Sequence, residues 1–162
     1  MQDRVDRILS QWHAEKPELD VSPMAVIGRL SRTALLVESR LAGTFTTHGL
    51  DASSFDVLAT LLRSGAPYRL APVDLAREAM ISTSAVAQRL NKLEVRDLVR
   101  REANPHDGRG TLVVLTDAGR DIVERALPDH LETERALIAP LSAAEQAQLV
   151  SLLQRITGAD ES

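Results

Sequence analysis

The sequence predicts a mainly α-helical protein that carries one small β-hairpin. Two short helical patterns follow each other between residues 71 and 96. Apolar and β-branched residues then form two short runs, 98–103 and 111–115. Asn104-Pro105 ends the first run, and Asp107-Gly108-Arg109-Gly110 reads as the polar loop between the two strands. Helix, turn, helix and hairpin together make a winged helix-turn-helix arrangement, with further helices on both sides.

Apolar periodicity and capping residues predict the elements in order. The predicted helices span residues 2–16, 23–48 with Ser22 as the expected N-cap, 52–63, 72–79, 83–96, 117–138 and 143–156. Asp51, Ser82 and Ser142 are expected N-caps, and Glu145 completes a capping box with Ser142. Pro128 falls inside the sixth helix and is expected to kink it or split it in two.

Composition limits the possible functions. The chain has 162 residues and 44% hydrophobic residues, which supports one domain, but with only 2% aromatics the core must be mostly aliphatic. It has no cysteine, which excludes disulfides, thiolate metal sites and cysteine redox sensing. No apolar run is long enough to span a membrane and no secretory leader pattern opens the chain, so a soluble, cytoplasmic protein without a membrane partner is expected.

Charge is distributed unevenly along the chain. Residues 82–110 contain six basic and four acidic side chains, a net charge of +2, whereas the whole chain carries −4 and the remainder therefore −6. A locally basic lobe on an acidic body fits a protein that binds double-stranded DNA, although the asymmetry is modest.

The helix predicted at 83–96 has two different faces. On a helical wheel its buried side carries Val86, Leu90 and Leu93, and the opposite side carries small and amide residues. Short side chains allow close approach to a DNA major groove, where amides read base edges, while an arginine in the wing can enter a minor groove. The residues predicted to bind DNA are Ser82, Ser84, Ala85, Gln88, Lys92 and Arg109.

This stretch resembles the MarR family (multiple antibiotic resistance regulators). The matching segments are Leu75-Ala76, Ser82, Arg89-Leu90, Leu93-Glu94, Leu98-Val99-Arg100-Arg101, Asp107-Gly108-Arg109-Gly110 and Leu115-Thr116-Asp117-Ala118-Gly119. Three positions depart from the family pattern, because Asp97 replaces a usual glycine, Gly108 a usual basic residue and Ala87 a common threonine.

The resemblance implies a homodimeric regulator whose DNA affinity changes with a small ligand. It also implies a single MarR-type domain over 1–162, with dimerisation helices in 1–50 and 117–162 around a DNA-binding lobe at 51–116. Exposed apolar stripes on the terminal helices are expected, because one lobe alone cannot cover them.

A second candidate site lies on the helix predicted at 52–63. Asp56 and Arg63 share a narrow arc of this helix but stand about 10 Å apart along its axis, so a ligand or a third residue could lie between them. Arg89 is a candidate for that residue, since it lies only about 60° from the centre of its own helix's buried side. Trp12, the only tryptophan, could supply an aromatic wall.

These positions resemble a narrower group, the urate-responsive PecS-like MarR regulators. The resemblance covers an extra N-terminal helix with a tryptophan, the segment Phe55 to Leu61 and an arginine in the recognition helix. It implies that Trp12, Asp56, Arg63 and Arg89 line a pocket for an anionic effector such as urate, which releases a repressor from DNA. A tricarboxylic acid or a phenolic compound is the alternative effector.

Simpler interpretations exist for each of these residues. Taken singly, Trp12 would more often be a core or interface aromatic, Arg89 a phosphate contact, and Asp56 and Arg63 part of a solvated face.

A winged-helix module that binds only proteins is the alternative function. An enzyme is not expected, because no acid–base or nucleophilic constellation occurs. Neither a metal nor a cofactor is expected, because no histidine pair has metal-ligand spacing and no glycine-rich phosphate loop is present.

Overall fold

A computed structural model describes residues 2–79, 81–105 and 110–158. Its elements are α1 (Arg4–Glu15), α2 (Ser22–Thr47), α3 (Ala52–Arg63), β1 (Arg69–Leu70), α4 (Pro72–Glu78), α5 (Thr83–Val95), β2 (Val99–Ala103), β3 (Thr111–Leu115), α6 (Asp117–Ile138) and α7 (Ala143–Thr157). The fold is therefore mainly helical with a small antiparallel sheet, as the sequence predicts. The chain forms two compact units, Met1–Arg40 and Leu41–Ser162.

The N-terminal unit is held together by one arginine. Asp3 caps α1 and forms a capping box with Asp6, whose Oδ2 accepts from the Asp3 backbone N–H at 2.9 Å. Arg29 of α2 binds both acids, with Nε 2.9 Å from Asp3 Oδ2 and Nη2 2.6 Å from Asp6 Oδ1. Gly28 lets α2 approach the buried Val5 of α1. The two helices therefore pack through a charged clamp and through apolar contact between Val5 and Gly28.

The second unit contains the main hydrophobic core. Leucine and valine side chains dominate it, and its deeply buried members include Leu58, Leu61, Leu75, Leu90, Leu93, Val99, Val113 and Val123. These come from α3, α4, α5, the sheet and α6, so the core joins the helix-turn-helix to the hairpin. The predicted inward side of α5 is confirmed, because Val86, Leu90 and Leu93 are all buried.

The sheet has three strands in the order β1-β3-β2, all antiparallel. Arg101 lies opposite Val113 in the hairpin, and Arg69 lies opposite Val114 on the other side of β3. The sequence analysis predicts the hairpin but not β1, because two residues are too few to show an alternating pattern. Residues 106–109, which include Arg109 and most of the predicted wing tip, lie outside the described residues.

Most predicted helix bounds are confirmed to within two residues, and those of α3 agree at both ends. Of the two outcomes expected at Pro128, the split does not occur, because α6 continues through it as a single helix. Proline removes one backbone N–H donor, and the turns on either side of it keep the remaining hydrogen bonds. Ser142 and Glu145 form the predicted capping box at the start of α7.

Helix length and hydropathy give a limited result for membrane spanning. Within the described part of the chain no single helix is long and apolar enough to cross a bilayer. The pair α6 and α7, bent by 98° at its junction, meets the criteria of length and composition only when taken together.

Candidate functional site

The first candidate site is the outward face of α5. Ser82 caps this helix, with its Oγ accepting from the Ala85 backbone N–H at 3.2 Å. Ser84 lies beside the cap, its Oγ 3.0 Å from Ser82 Oγ, and Gln88 follows one turn later, exposed to solvent. The serines predicted to bind DNA therefore also build the start of the helix that would present them.

Lys92 forms an ion pair with Asp51, the N-cap of α3. Burial of Asp51 opposes its ionisation, but hydrogen bonds from Lys92, the Ser54 backbone N–H and the Ser53 hydroxyl outweigh that effect and hold its pKa well below the usual range. One carboxylate thus caps α3 and anchors α5 to it. The sequence analysis predicts Lys92 as a DNA contact but does not predict its ion pair with Asp51.

A second tie joins α5 to the hairpin. Arg101 of β2 forms an ion pair with Glu94, and its Nη2 lies 3.0 Å from Asn91 Oδ1. Both partners are on α5, so the first strand of the wing is fixed to the recognition helix. Arg101 lies on a different element from Asn91 and Glu94, so the helical periodicity of α5 does not predict these contacts.

The second candidate site surrounds Asp56 on α3. Asp56 is an exposed residue of α3, but partial desolvation by its neighbours raises the pKa of its carboxyl above the usual value, and the positive charges of Arg89 and His130 offset part of that rise. Arg89 is partly buried, and its Nη1 donor is shielded from solvent and has no hydrogen-bond partner among the described residues. The burial of Nη1 is compatible with the inward orientation that the helical wheel allows for Arg89.

His130 is a member of this site that the sequence analysis missed. Its ring stacks on Phe45 and Phe55, with centroid distances of 5.5 Å and 4.8 Å, and the two phenyl rings stack at 4.5 Å. Its Nε2 lies 3.2 Å from Glu134 Oε1, whereas its Nδ1 is buried without a partner in the described part of the chain. Its spacing along α6 could have indicated an inward position, because His130 continues the stripe of the buried residues Val123 and Ala126.

Arg63 is oriented differently from Arg89. Its guanidinium binds Glu78 of α4, with Nη1 3.2 Å from Oε2 and a further bond from Nη2 to the backbone carbonyl. It lines a pocket of about 400 Å³ together with Thr60, Ser64, Leu70, Asp74, Arg77 and Glu78. Thr60, which lies one turn after Asp56 on α3, is buried. Arg63 therefore meets α4 in this conformation.

Trp12 belongs to the N-terminal unit. It is 40% exposed on α1 and lines a pocket of about 290 Å³ with Ile8, Gln11 and Glu15. The exposed indole is available for stacking. No group of three or more histidine, aspartate or glutamate side chains within residues 2–79, 81–105 and 110–158 is arranged to hold a metal ion.

A helix-turn-helix that packs on a three-stranded sheet, with an exposed second helix, defines the winged helix-turn-helix class. A sequence profile of the MarR family matches residues 48–110. Over 152 residues the chain is 41% identical to the HTH-type transcriptional regulator PecS of Dickeya dadantii (strain 3937), covering 94% of this chain and 92% of PecS. The chain belongs to the MarR family of transcriptional regulators.

Solved structures agree with this assignment. The fold is similar to that of Sco3205, a MarR family transcriptional regulator from Streptomyces coelicolor in complex with DNA, with a TM-score of 0.78 and 26% identity over 86% of this chain and 91% of that one. It is also similar to Bordetella bronchiseptica BpsR, whose DNA binding is regulated by 6-hydroxynicotinic acid, with a TM-score of 0.72 and 27% identity over 82% of this chain and 98% of that one.

Proposed function

We propose that this protein is a transcriptional repressor that leaves its DNA operator when a small organic anion, such as urate, binds near Asp56 and Arg89. The observation that carries the proposal is the buried Nη1 of Arg89, which has no hydrogen-bond partner among the described residues. Arg89 belongs to the recognition helix, and its charge acts on Asp56 of α3. A ligand held by Arg89 would therefore act directly on the DNA-reading element.

The chemistry favours a planar anion. A guanidinium binds carboxylate-like or urate oxygens through paired hydrogen bonds and can also stack on a planar ring. A bound anion would repel the Asp56 carboxylate, whose ionisation is already disfavoured by partial desolvation. The interaction that holds Arg89 towards α3 would then be replaced by one with the ligand, and α5 would move with it.

Arg63 completes the part of the proposed site that lies in the second unit. The exposed indole of Trp12, in the N-terminal unit, is proposed as a stacking face for a planar ring. Arg63 would have to exchange Glu78 for the ligand, which is feasible because exposed ion pairs contribute only about 0–1 kcal/mol. Its side chain is 55% exposed and that of Glu78 is 43% exposed.

DNA binding is proposed to use Ser82, Ser84, Ala85, Gln88, Lys92 and Arg109. Lys92 forms an ion pair with Asp51, so its charge would contribute less to phosphate binding than the charge of an unpaired lysine. Phosphate contacts release counterions, so affinity is expected to fall steeply with salt. Sco3205, which has the same fold, was solved in complex with DNA.

We further propose that the protein acts as a homodimer. The α7 helix buries none of its residues and exposes Leu149, Val150, Leu152, Leu153 and Ile156. Apolar side chains at this density are typical of a protein interface. Two linked recognition helices would reach major grooves one helical turn apart, about 34 Å, so a small change in their separation would lower affinity.

The test begins with a duplex selected by the protein from a random library. Urate is added to the complex while DNA anisotropy and Trp12 fluorescence are recorded. Wild type should release DNA with saturable quenching, Arg89→Ala should bind DNA but not respond, and Arg63→Ala should respond at higher urate. Arg125→Ala, which removes an exposed guanidinium of α6, is the matched control.

The outcomes separate the alternatives. A normal urate response in Arg89→Ala would rule out the proposed coupling. Release by citrate or by a phenolic acid, but not by urate, would retain the mechanism and change the effector. Failure to bind any duplex in a salt-sensitive way would contradict the regulator and favour a protein-interaction module.

A further inference from the structure

The outward face of α5 divides into two parts according to the contacts its side chains make. Seven residues of this helix are exposed, namely Thr83, Ser84, Ala87, Gln88, Asn91, Lys92 and Val95. The N-terminal part carries short side chains around one amide. In the C-terminal part the two polar side chains are tied to other elements, whereas Val95 is exposed.

In the C-terminal part, two polar groups are engaged within the protein. Lys92 is paired with Asp51 of the α3 cap. The acceptor oxygen of Asn91 lies 3.0 Å from Arg101 Nη2, and Arg101 is held in turn by Glu94. Bidentate recognition of adenine needs an amide side chain that is free to align both its oxygen and its nitrogen with the base edge. Asn91 is held in place by Arg101, which already occupies one of the two lone pairs of its oxygen.

In the N-terminal part, Gln88 is unencumbered. It is exposed, and no described residue forms a hydrogen bond with its amide. Ser84 and Ala87, its neighbours on the same face, are both small, and Ser84 directs its hydroxyl to Ser82 at 3.0 Å. Small neighbours allow the helix to sit deep in a groove, so that a glutamine side chain can reach a base edge.

We propose that Gln88 is the residue that selects a base in each half-site, and that the base is adenine. Its oxygen would accept from adenine N6 and its nitrogen would donate to N7, the bidentate pairing that the major groove offers to an amide. Asn91 is then a positioning residue, which holds β2 against α5 through Arg101. This inference rests on the proposed DNA binding and adds the base preference and its source.

The first experiment compares motifs selected from a random duplex library by three proteins. Wild type should enrich an adenine at one position of each half-site, with a preference of about tenfold to a hundredfold over other bases. Gln88→Ala should retain the remaining motif but lose that preference. Asn91→Ala, the matched amide one turn away, should weaken all sequences alike and leave every base preference in place.

The second experiment replaces the selected adenine by 7-deazaadenine, which lacks the N7 acceptor but pairs normally. Wild type should lose affinity by about two- to tenfold, the range for one hydrogen bond, whereas Gln88→Ala should not distinguish the two duplexes. Thermal melting of each variant confirms that the exposed substitutions leave the fold intact.

The results test separately the base-reading role of Gln88 and the proposed DNA binding on which it rests. If wild type selects a motif that Gln88→Ala reproduces in full, or if Asn91→Ala loses the adenine instead, the base-reading role is overturned while the regulator stands. If wild type selects no motif at any salt concentration, both are overturned.

Discussion

At Gly119, the first turn of α6 leaves no room for a side chain. A Cβ at this position would collide with the carbonyl oxygen of Leu98 and lie 2.9 Å from Leu115 Cδ1. The same turn is fixed by Thr116, whose Oγ1 accepts from the Gly119 N–H at 3.0 Å and donates to the Asp97 carbonyl at 2.7 Å. The glycine of the Leu-Thr-x-x-Gly motif is therefore a packing requirement between α6 and the hairpin.

Gly119→Ala should consequently destabilise the protein by about 1–3 kcal/mol, the usual cost of overpacking, and by more if the backbone cannot shift. Urea unfolding followed by circular dichroism measures the change. Gly43→Ala is the control, because beyond its chain neighbours and the nearby backbone of its own helix no atom of the described residues lies within 4 Å of the added methyl group. That substitution in the interior of α2 should be neutral or stabilise by about 0.5–1 kcal/mol. Equal stability of the two variants would contradict the packing argument.

Asp97 adopts a left-handed backbone conformation with φ +55°, between α5 and β2. This conformation costs a non-glycine residue about 1–2 kcal/mol, less for aspartate, and it explains why the family pattern places a glycine there. Asp97→Gly should raise the unfolding free energy by up to about 1 kcal/mol and leave DNA affinity unchanged. Asp97→Ala keeps the Cβ and should give no such gain, so a stabilised alanine variant would argue against backbone strain.

At the scale of elements, the ion pair of Asp51 and Lys92 joins α3 to the recognition helix. Because the folded pKa of Asp51 lies below the unfolded value of 3.8, this carboxylate stabilises the protein above about pH 4. The contribution is lost as the pH falls further. Asp51→Asn can still cap α3 but cannot form the ion pair, so its deficit relative to wild type should be constant at neutral pH and shrink in acid.

Solvent screening limits the size of that deficit, since the side chains of Asp51 and Lys92 are 44% and 56% exposed. We expect about 1 kcal/mol or less at pH 7. Urea unfolding at pH 3, 5 and 7 measures it, and Lys92→Met should show the same pH profile. A deficit in the double variant equal to the sum of the two single deficits would show that the two groups do not interact.

Local patterns predicted the elements better than the contacts between them. The bounds of α3 follow from Asp51 and an apolar repeat, and β3 follows from a β-branched run, because these signals are confined to neighbouring residues. A helical wheel allows an inward orientation for Arg89, and the burial of its Nη1 is compatible with it. The partner of Arg63 was not predictable, because it depends on how α4 docks against α3. His130 was overlooked for a similar reason, since its role appears only when α6 packs beside α3.

At the scale of the whole molecule, the exposed apolar face of α7 is proposed to contact a second copy of the chain. Leu153→Asp should convert the proposed dimer to a monomer and weaken operator binding, because one recognition helix would then bind without its partner. Light scattering coupled to gel filtration measures the mass. Ser151→Asp, an exposed polar position of the same helix, should remain dimeric. A Leu153→Asp dimer, or a monomeric wild type, would contradict this proposal.

The buried end of Arg89 also has a thermodynamic consequence for the free protein. A buried donor without an acceptor costs on the order of 1 kcal/mol, so the ligand-free fold is less stable than its packing alone would make it. Any compound that supplies the acceptor stabilises the native state by mass action, and the melting temperature rises with its concentration. A collection of organic acids can therefore be ranked by the heat resistance each confers on the protein, before any operator or target gene is known.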